Sequence, residues 1–413
     1  MSTILAYTSP AAGHTFPLVP GLLALQARGH AVRAVVHPDL VEPLTAAGLD
    51  AVPLDPRILD VRVADYEVRS DRERLAVGLG QLMARGPFEI EDLRGHLETS
   101  RPDVVLVDTL AYGGTVAAEA SGLPWAVTLP SLLPLPEPGI PPYGLGLRPL
   151  RGPLGRLRDA ALWRLVEKTY GRAMLPPVNE LRASAGLPAH ASPYDQLLAP
   201  DAVLVLAGEP LEYPRRRLPA KVHLLGAQTW DPPAERLDWL DEPGDPWVLV
   251  TCSTEYQADE ELAEVTVRAL RGEAVRVVVT LADAYDDTEL PAADNVRVER
   301  FVPHGQVLER AAAVVCPGGM GITAKAVARG VPVVAVPFGR DQPEVARRVA
   351  EAGVGVRLPR QRLDPERLRA AVREARALPL RSAAPDETAG DRVARAVEGL
   401  LPRVSPAPPA SRG

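Results

Sequence analysis

Short apolar runs, separated by stretches with helical periodicity, organise the first half of the chain. Because each run is continuously apolar, it is typical of a strand in a parallel sheet that is covered on both faces. Two of the helical stretches between the runs end at glycines, Gly29 and Gly48, which suit a helix C-terminus. The predicted strands are TILAYTS (3–9), AVRAVVH (31–37), LDAVPL (49–54), DVVLVD (103–108), WAVTL (125–129) and AVLVLA (202–207).

The same pattern starts again near residue 247. A helical stretch, ELAEVTVRALRG, follows the first of the new runs, and helices precede the last two. We therefore predict an α/β protein with two doubly wound, Rossmann-like domains. The strands of the second domain are predicted at WVLVTC (247–252), AVRVVVTL (274–281), NVRVERF (295–301), AAAVVC (311–316) and PVVAVPF (332–338).

Changes in composition mark the domain boundaries. The span 216–246 is rich in proline and charge, so we expect it to carry the linker and crossing between an N-terminal domain (1–215) and a C-terminal domain (247–380). An amphipathic stretch within 381–402 is predicted to form a closing helix. The last residues, 403–413, are rich in proline and are expected to be disordered.

The charge balance narrows the classes of partner. The 413-residue chain has 46 basic and 53 acidic residues, a formal net charge of -7, which argues against nucleic acid or an anionic membrane as the main partner. Its two cysteines, Cys252 and Cys316, form no C-x-x-C motif, so a reduced, cytoplasmic setting is expected. The N-terminal sequence MSTILAYTSP has the features of neither a signal peptide nor a membrane span.

Polar residues follow the strands at which the order of a doubly wound sheet reverses. In the order 3-2-1-4-5, ligands bind beyond strands 1 and 4, which in the first domain lead to His14 and end at Asp108. A neutral imidazole accepts a proton near pH 7, and a carboxylate on its other nitrogen fixes the tautomer. The pair is therefore predicted to act as a general base and its orienting group. The alternative is that His14 caps a helix and Asp108 binds backbone amides.

A glycine-rich turn, CPGGMGIT (316–323), follows strand 4 of the second domain. Three glycines in four positions before a predicted helix favour close approach of an anion to backbone amides and to the helix dipole. No lysine follows, so the turn is not a P-loop, and SPAAGHTF after the first strand does not match a nicotinamide-binding motif. The alternative is a tight turn whose glycines serve packing only.

The stretch FGRDQPE (338–344) follows strand 5 of the second domain. Asp341 and Gln342 offer acceptors and donors suited to vicinal hydroxyls, which beside an anion-binding turn suggests a phosphorylated sugar. Capping of the next helix by Asp341 is the alternative, and both roles are compatible.

Together these motifs resemble the GT-B glycosyltransferases of family 1, especially the actinobacterial enzymes that glycosylate macrolides, enediynes and polyketides. The resemblance covers nearly the whole chain, is weakest across the acceptor region and is strongest from 296 to 350. It implies two Rossmann-like domains that face each other across a cleft. The motifs that carry it are GHTFPLVPGLLALQARGHAV, VDT and VPHGQVLERAAAVVCPGGMGITAKAVARGVPVVAVPFGRDQPEVARRV.

By this resemblance the C-terminal domain binds a dTDP- or UDP-sugar as co-substrate, with no other cofactor. The segments of this chain that match the family are then expected to pack on the nucleobase, face the diphosphate and bind the sugar hydroxyls. In the N-terminal domain, His14 matches the family's base and Asp108 its partner in an inverting displacement. No Asp-x-Asp motif occurs, so metal-independent transfer without a metal site is expected. The implied donor-binding residues are Ser253, Thr254, Val302, His304, Pro317, Gly318, Gly319, Met320, Gly321, Ile322, Asp341 and Gln342.

The glycine turn departs from the family pattern at two positions. Pro317 stands where a phosphate-binding histidine is usual, and Ile322 stands where Ser or Thr is usual. Proline provides neither a side-chain donor nor a backbone N–H. The turn is therefore expected to hold a diphosphate through amides and the dipole. Either affinity for the donor is low or other side chains compensate, the candidates being Ser253, Thr254, Thr323, His304 and Arg340.

Acceptor contacts are expected from loops of the N-terminal domain. The stretch PSLLPLPEPGIPPYGLGLRP (130–149) is rigid and apolar, which suits a hydrophobic aglycone, and plain surface packing is the alternative. The predicted acceptor-binding residues are Phe16, Leu132, Leu133, Pro134 and Tyr143.

These residues lead to one main hypothesis and two alternatives. The main one is a cytoplasmic glycosyltransferase of antibiotic biosynthesis and secondary metabolism, a monomer or homodimer that acts on a lipophilic small molecule. Pro317 keeps open a non-catalytic nucleotide-sugar-binding or auxiliary protein. A hydrolysing nucleotide-sugar 2-epimerase shares the architecture, but His14 and the apolar loop favour transfer.

Overall fold

Two parallel β-sheets form the framework of the molecule. The computed structural model describes residues 1–68, 70–253, 257–379 and 388–401. The strands are β1 (Thr3–Tyr7), β2 (Ala31–Val36), β3 (Asp50–Pro53), β4 (Val104–Asp108), β5 (Trp125–Leu129), β6 (Ala202–Val205), β7 (Val222–Leu224), β8 (Trp247–Thr251), β9 (Arg276–Thr280), β10 (Val296–Glu299), β11 (Ala311–Cys316), β12 (Val333–Ala335) and β13 (Gly355–Arg357).

Helices cover the sheets and connect their strands. Among the described residues, none of these helices has both the length and the apolar sequence needed to cross a bilayer. They are α1 (Ala12–Thr15), α2 (Val19–Ala27), α3 (Pro38–Ala46), α4 (Pro56–Leu59), α5 (Asp71–Ser100), α6 (Tyr112–Ser121), α7 (Gly152–Ser184), α8 (Asp195–Leu198), α9 (Glu261–Leu270), α10 (His304–Leu308), α11 (Met320–Ala328), α12 (Gln342–Glu351), α13 (Pro365–Arg376) and α14 (Ala389–Glu398).

The strand order confirms the doubly wound α/β prediction. The first sheet has the order β3-β2-β1-β4-β5-β6-β7 and the second the order β10-β9-β8-β11-β12-β13. All neighbours within each sheet are parallel. The order therefore reverses beside β1 and β4 in one sheet and beside β8 and β11 in the other, which sets the two expected ligand crevices.

Two strands extend the sheets beyond the sequence prediction. β7 lies within 216–246, the predicted linker, and continues the first sheet to Leu224. β13 adds an edge to the second sheet. Each has only three residues, which is too short for apolar periodicity to reveal it.

The chain returns to the first domain at α14, within the segment predicted to form a closing helix. Val393 packs against Gly21 of α2, where a Cβ atom would lie 2.4 Å from Val393 Cγ1. Arg28, just after α2, pairs with Asp391 and Glu398 at 2.9 Å each. The C-terminal helix thus ties the two ends of the chain together. The predicted disordered tail, 403–413, lies outside the described residues.

The apolar interior is continuous between the two domains. Leu129 and Val205 of the first sheet belong to the same buried cluster as Leu249 and Val333 of the second. All four side chains are nearly or fully inaccessible to water. We call the whole buried cluster to which these residues belong, and which also includes Leu132 and Leu133, the interdomain cluster. It fixes the orientation of one sheet against the other through packing, a large favourable term in folding.

A buried guanidinium reinforces the contact between the domains. Arg348 of α12 is 1% exposed and donates to Glu344 Oε1 at 2.7 Å and to Glu212 Oε1 at 3.3 Å. It also stacks on the Tyr213 ring, with 3.4 Å from Cζ to the centroid. Because a buried charge is tolerated only when it is paired, this network holds α12 against the segment around Glu212.

A close helix crossing provides a test of the packing of the first domain. In α6, a Cβ atom on Gly113 would lie 2.0 Å from the backbone oxygen of Gly86 in α5. We expect Gly113→Ala to lower the free energy of unfolding by about 1–3 kcal/mol, because the helices must separate.

The matched control is Gly95→Ala. Gly95 lies in α5, the helix that Gly113 contacts, but a Cβ there would meet nothing within 4 Å. It should raise the free energy of unfolding by about 0.5–1 kcal/mol through helix propensity. Urea denaturation followed by circular dichroism measures both. Equal effects of the two substitutions would show that α5 and α6 do not approach each other so closely at Gly113.

Candidate active site

The structure brings His14 and Asp108 together at the crevice of the first sheet. His14 lies in α1, directly beyond β1, and Asp108 is the last residue of β4. His14 Nδ1 is 2.8 Å from Asp108 Oδ2 and 3.0 Å from Oδ1. The carboxylate accepts a hydrogen bond from Nδ1–H, so Nε2 is the basic nitrogen of the neutral ring. This is the arrangement of a general base and its orienting carboxylate.

Further hydrogen bonds fix the position of the carboxylate. Asp108 is fully buried, and its Oδ1 accepts from Ser9 Oγ at 2.6 Å and from Leu110 N at 2.9 Å. The side chain of His14 is 25% exposed. Asp108 therefore binds a backbone amide, as the alternative proposed, and the imidazole as well. His14 lies inside α1 and does not cap it.

A second carboxyl group, unforeseen in the sequence, is buried behind the His14–Asp108 pair. Glu89 of α5 is 1% exposed, and its Oε2 accepts a hydrogen bond from Gly113 N at 2.7 Å. Burial, aided by the charge of Asp108 and opposed by the amides of Gly113 and Gly114 and by Arg85, raises the pKa of Glu89 to about 8. Glu89 is therefore largely protonated near pH 7.

The glycine turn opens α11 beyond β11, at the crevice of the second sheet. Gly318 adopts φ +97°, in the left-handed region that favours glycine, and Gly319 is the N-cap residue of α11. A Cβ atom on Gly319 or Gly321 would meet nothing within 4 Å, so packing within the protein does not require glycine at either position. The turn thus presents bare backbone to open space, which favours the anion-binding interpretation over the packing one.

Several of the predicted compensating side chains point elsewhere. Thr323 is fully buried, so its hydroxyl does not reach the open side of the turn. His304 Nε2 lies 3.2 Å from Thr280 Oγ1, and burial together with the charge of Lys325 lowers the pKa of His304 to about 4. His304 is consequently neutral near pH 7. Arg340 is exposed.

Ser253 and Gln342 meet beside the glycine turn. Gln342 Nε2 donates to Ser253 Oγ at 3.4 Å, while its Oε1 accepts from Phe338 N at 2.8 Å. Ser253 Oγ donates to the buried Asp259 at 2.6 Å. Burial raises the pKa of Asp259, and its hydrogen bonds from Ser253 oppose the rise. Thr254, the other predicted diphosphate contact, lies outside the described residues.

Asp341 contacts the opposite domain. Its Oδ2 accepts from Ser131 Oγ at 3.0 Å and from the Tyr143 hydroxyl at 3.4 Å. Burial, with the negative charge of Asp341, raises the pKa of Tyr143 well above its ordinary range. Asp341 occupies the N-cap position of α12, but its side chain makes no capping hydrogen bond. A predicted donor residue and a predicted acceptor residue are thus adjacent across the domain boundary.

The predicted nucleobase-binding and acceptor residues, and two more from the glycine turn, are either buried or half-buried. Leu132 and Leu133 are 0% and 1% exposed and pack in the interdomain cluster, so for these two the structure favours the packing alternative. Their buried backbone needs partners, and Leu133 N donates to Glu212 Oε2 at 2.9 Å. Val302 and Met320 are also buried, while Pro134 and Ile322 are half-buried.

Two aromatic residues lie accessible near these segments. Phe16 is half-buried, packs edge to face on Trp230 at 5.0 Å between ring centroids, and has Lys325 Nζ 6.0 Å from its ring centroid. Phe301, just beyond β10, is 57% exposed, with its ring centroid 6.2 Å from that of His304. The sequence prediction missed Phe301, although an aromatic residue at the carboxyl end of a strand was a usable signal.

Within 1–68, 70–253, 257–379 and 388–401, no three His, Cys, Asp or Glu side chains cluster in a way suited to a metal ion. Cys252 and Cys316 are buried free thiols, and burial raises the pKa of Cys316 to about 11.

Comparison with known proteins agrees with this fold. Residues 266–397 match the erythromycin biosynthesis protein CIII-like C-terminal domain. The 4'-demethylrebeccamycin synthase of Lentzea aerocolonigenes is 31% identical over 387 residues, with 90% of each chain covered. The glycosyltransferase VinC, solved in complex with dTDP, has a TM-score of 0.64 at 26% identity and covers 97% of this chain and 96% of its own. The kitacinnamycin glycotransferase has a TM-score of 0.69 at 24% identity, covering 97% and 95%, which shows the shared fold.

The two facing sheets and these relatives define a glycosyltransferase with the GT-B fold. The chain belongs to the family 1 glycosyltransferases, in the group of actinobacterial enzymes for natural products that includes 4'-demethylrebeccamycin synthase.

The buried Glu89 predicts a pH dependence of stability. The folded state keeps a proton on this carboxyl up to about pH 8, whereas the ordinary pKa is 4.5. The resulting stabilisation is complete below pH 4.5 and is lost as the pH rises toward 8. We expect Glu89→Gln to flatten the fall in unfolding free energy over this window, which has a limiting slope of about 1.4 kcal/mol per pH unit.

Glu91→Gln is the matched control, since Glu91 is on the same helix but 62% exposed. Urea denaturation at a series of pH values gives the slopes. A Glu89→Gln slope equal to those of the wild type and of Glu91→Gln would show that Glu89 titrates normally.

Proposed function

We propose that the enzyme transfers a sugar from a dTDP- or UDP-sugar to a hydroxyl of a hydrophobic natural-product acceptor, with inversion and without a metal or other cofactor. The observation that carries the proposal is the pairing of two complementary crevices. The His14–Asp108 pair lies at the crevice of one sheet, and the open glycine turn lies at the crevice of the other.

His14 acts as the base in this proposal. Its Nε2 takes the proton of the acceptor hydroxyl, and the buried Asp108 stabilises the imidazolium that forms. The acceptor oxygen forms a bond to the anomeric carbon while the bond from that carbon to the diphosphate breaks on the opposite side. Attack from the opposite face inverts the configuration of the sugar.

The glycine turn receives the departing diphosphate. The amides at the start of α11 and the positive end of its dipole stabilise the negative charge that develops on the leaving group. The open space beside Gly319 and Gly321 leaves room for this approach. Neutral His304 adds no positive charge, and the buried hydroxyl of Thr323 does not reach the open side of the turn. In this proposal the backbone therefore provides most of the binding.

The rest of the donor fits the neighbouring residues. The exposed ring of Phe301 offers a stacking surface for the nucleobase of the donor. The dTDP complex of VinC supports a thymine or uracil nucleotide. Asp341 is proposed to accept from sugar hydroxyls, since a carboxylate has about four acceptor positions and two are used by Ser131 and Tyr143. Gln342 Oε1 already accepts a hydrogen bond from Phe338 N, so Gln342 is proposed to contact the sugar hydroxyls through its Nε2 group.

The acceptor is proposed to bind on the N-terminal side of the groove, near Phe16 and Tyr143. Phe16 and Trp230 present an apolar edge close to His14, which suits a lipophilic aglycone. The similarity to 4'-demethylrebeccamycin synthase is consistent with a natural-product acceptor.

We expect His14→Ala to reduce sugar transfer by at least about 100-fold, because no other group takes the acceptor proton. Donor affinity should stay within about twofold, because the donor contacts the other domain. Acceptor-dependent release of nucleoside diphosphate from dTDP- and UDP-sugars measures transfer, and calorimetry measures donor binding.

His223→Ala, on the edge strand β7, is the matched control and should keep full turnover. Unchanged turnover in His14→Ala would remove the base from the mechanism. Donor consumption without any acceptor, yielding an altered sugar, would point to epimerisation instead of transfer.

We expect Pro317→His to tighten donor binding by about tenfold, since a side-chain hydrogen bond to a phosphate oxygen contributes about 1–3 kcal/mol. Pro317→Ala is the matched control, because it restores a backbone N–H without an imidazole. A gain confined to Pro317→His assigns the effect to the side chain. No gain in calorimetry with either variant would mean that the turn already satisfies the diphosphate fully.

A further inference from the structure

The exposed apolar side chains of the protein are concentrated in one segment. Of the eight large apolar residues that are exposed among the described ones, five are leucines between 145 and 165. Soluble proteins seldom group exposed apolar side chains in this way without a function. We call these residues the leucine ridge: Leu145 at 45%, Leu150 at 45%, Leu154 at 82%, Leu157 at 69% and Leu165 at 59% exposure.

The packing of α7 holds its part of the ridge outward. Leu154, Leu157 and Leu165 recur at i, i+3 and i+11, which places them on one helix face. The opposite face is buried through Asp159 and Trp163, and Trp163 Nε1 donates to Ile140 O at 2.8 Å. Because Trp163 is anchored in this way, the helix cannot rotate to bury the leucines. From 154 to 165 the ridge is about 16 Å long.

Basic side chains flank the ridge. The stretch 148–172 contains seven Arg and Lys residues and two acidic residues, in a chain whose acidic residues outnumber the basic ones. One of the two acids, Asp159, is buried and paired with Arg158 at 2.6 Å. Arg164 and Lys168 are exposed on the helix faces beside the leucines. The local charge therefore has the opposite sign to that of the whole chain, and screening over about 8 Å makes the local charge decisive at a contact.

We propose that the leucine ridge and its flanking cations bind the surface of an anionic membrane. A helix with leucines on one face and Arg or Lys beside them is the form of an interfacial helix, whose leucines enter the boundary between headgroups and acyl chains. The cations are attracted to acidic headgroups, and their long side chains reach outward from the leucines. A symmetric contact with a second copy is disfavoured, because it would place the two basic stretches against each other.

The position of the ridge links it to the groove. Tyr143 contacts Asp341, and Gly146 N donates to Glu344 Oε2 at 3.2 Å, so the segment that carries Leu145 borders the junction of the domains. If the proposed function is correct, the membrane surface also supplies the lipophilic acceptor, close to where it is used. Binding to the surface itself does not depend on the proposed reaction.

The test is sedimentation of the purified full chain with sucrose-loaded vesicles. We expect binding to phosphatidylcholine vesicles with about one third phosphatidylglycerol, little binding to pure phosphatidylcholine, and weakening with added salt. Leu154→Ser/Leu157→Ser should weaken binding by at least about tenfold. Arg164→Glu/Lys168→Glu should weaken it by about fivefold per cation removed.

Tyr285→Ser is the matched control, since it removes an exposed aromatic residue outside the ridge and should leave vesicle binding unchanged. All these positions are exposed, so the thermal midpoint should shift little, and circular dichroism verifies this. Failure of the wild type to bind anionic vesicles, or equal binding to neutral ones, overturns the proposal. A dimer in light scattering that the leucine variants lose overturns it in favour of a second copy.

The vesicle result and the transferase result are independent. Vesicle binding in the absence of nucleotide sugar supports the membrane proposal even if turnover assays fail. Turnover of a water-soluble acceptor by an enzyme that ignores vesicles supports the transferase and removes the membrane proposal.

Discussion

The arrangement of the candidate site depends on the apolar interior that the two domains share. The reversal of strand order places His14 and Asp108 at one crevice and the glycine turn at the other. The interdomain cluster and the buried Arg348 hold these crevices in their orientation toward each other. Without that packing, each sheet would still carry its own candidate residues, but the distance between the His14–Asp108 pair and the glycine turn would not be defined.

The proposed mechanism separates proton chemistry from anion chemistry. The first crevice holds the imidazole and a buried carboxylate, and Glu89 behind them stays protonated near neutral pH, which limits the negative charge gathered there. The second crevice offers bare amides at the start of α11 and a neutral His304. Asp259, beside this crevice, is buried and accepts hydrogen bonds from the amide and the hydroxyl of Ser253.

The sequence was sufficient where the pattern is long and local, and insufficient where a contact depends on distant packing. The continuous apolar strands were enough to predict the strand order. The strand order in turn predicted that His14 and Asp108 lie together. β7 and β13 were too short for any periodicity to show.

Roles that depend on tertiary packing also escaped the sequence. The prolines around Leu132 and Leu133 indicated a rigid apolar loop, but not that these two side chains point inward. Nothing local to Glu89 or Arg348 marks either as buried, because each is covered by a segment elsewhere in the sequence, around Gly113 for Glu89 and around Glu212 for Arg348. The exposed ridge on α7 is likewise recognisable only when the opposite face of the helix is seen to be packed.

The buried Arg348 network also constrains how substrates reach the groove. Swinging one domain away from the other would separate Arg348 from Glu212 and expose the apolar side chains of the interdomain cluster to water, which costs free energy. Rearrangement of the loops that border the groove avoids that cost. The structure therefore favours a gate made of loops between two lobes of constant orientation, over a hinge that opens and shuts with every turnover.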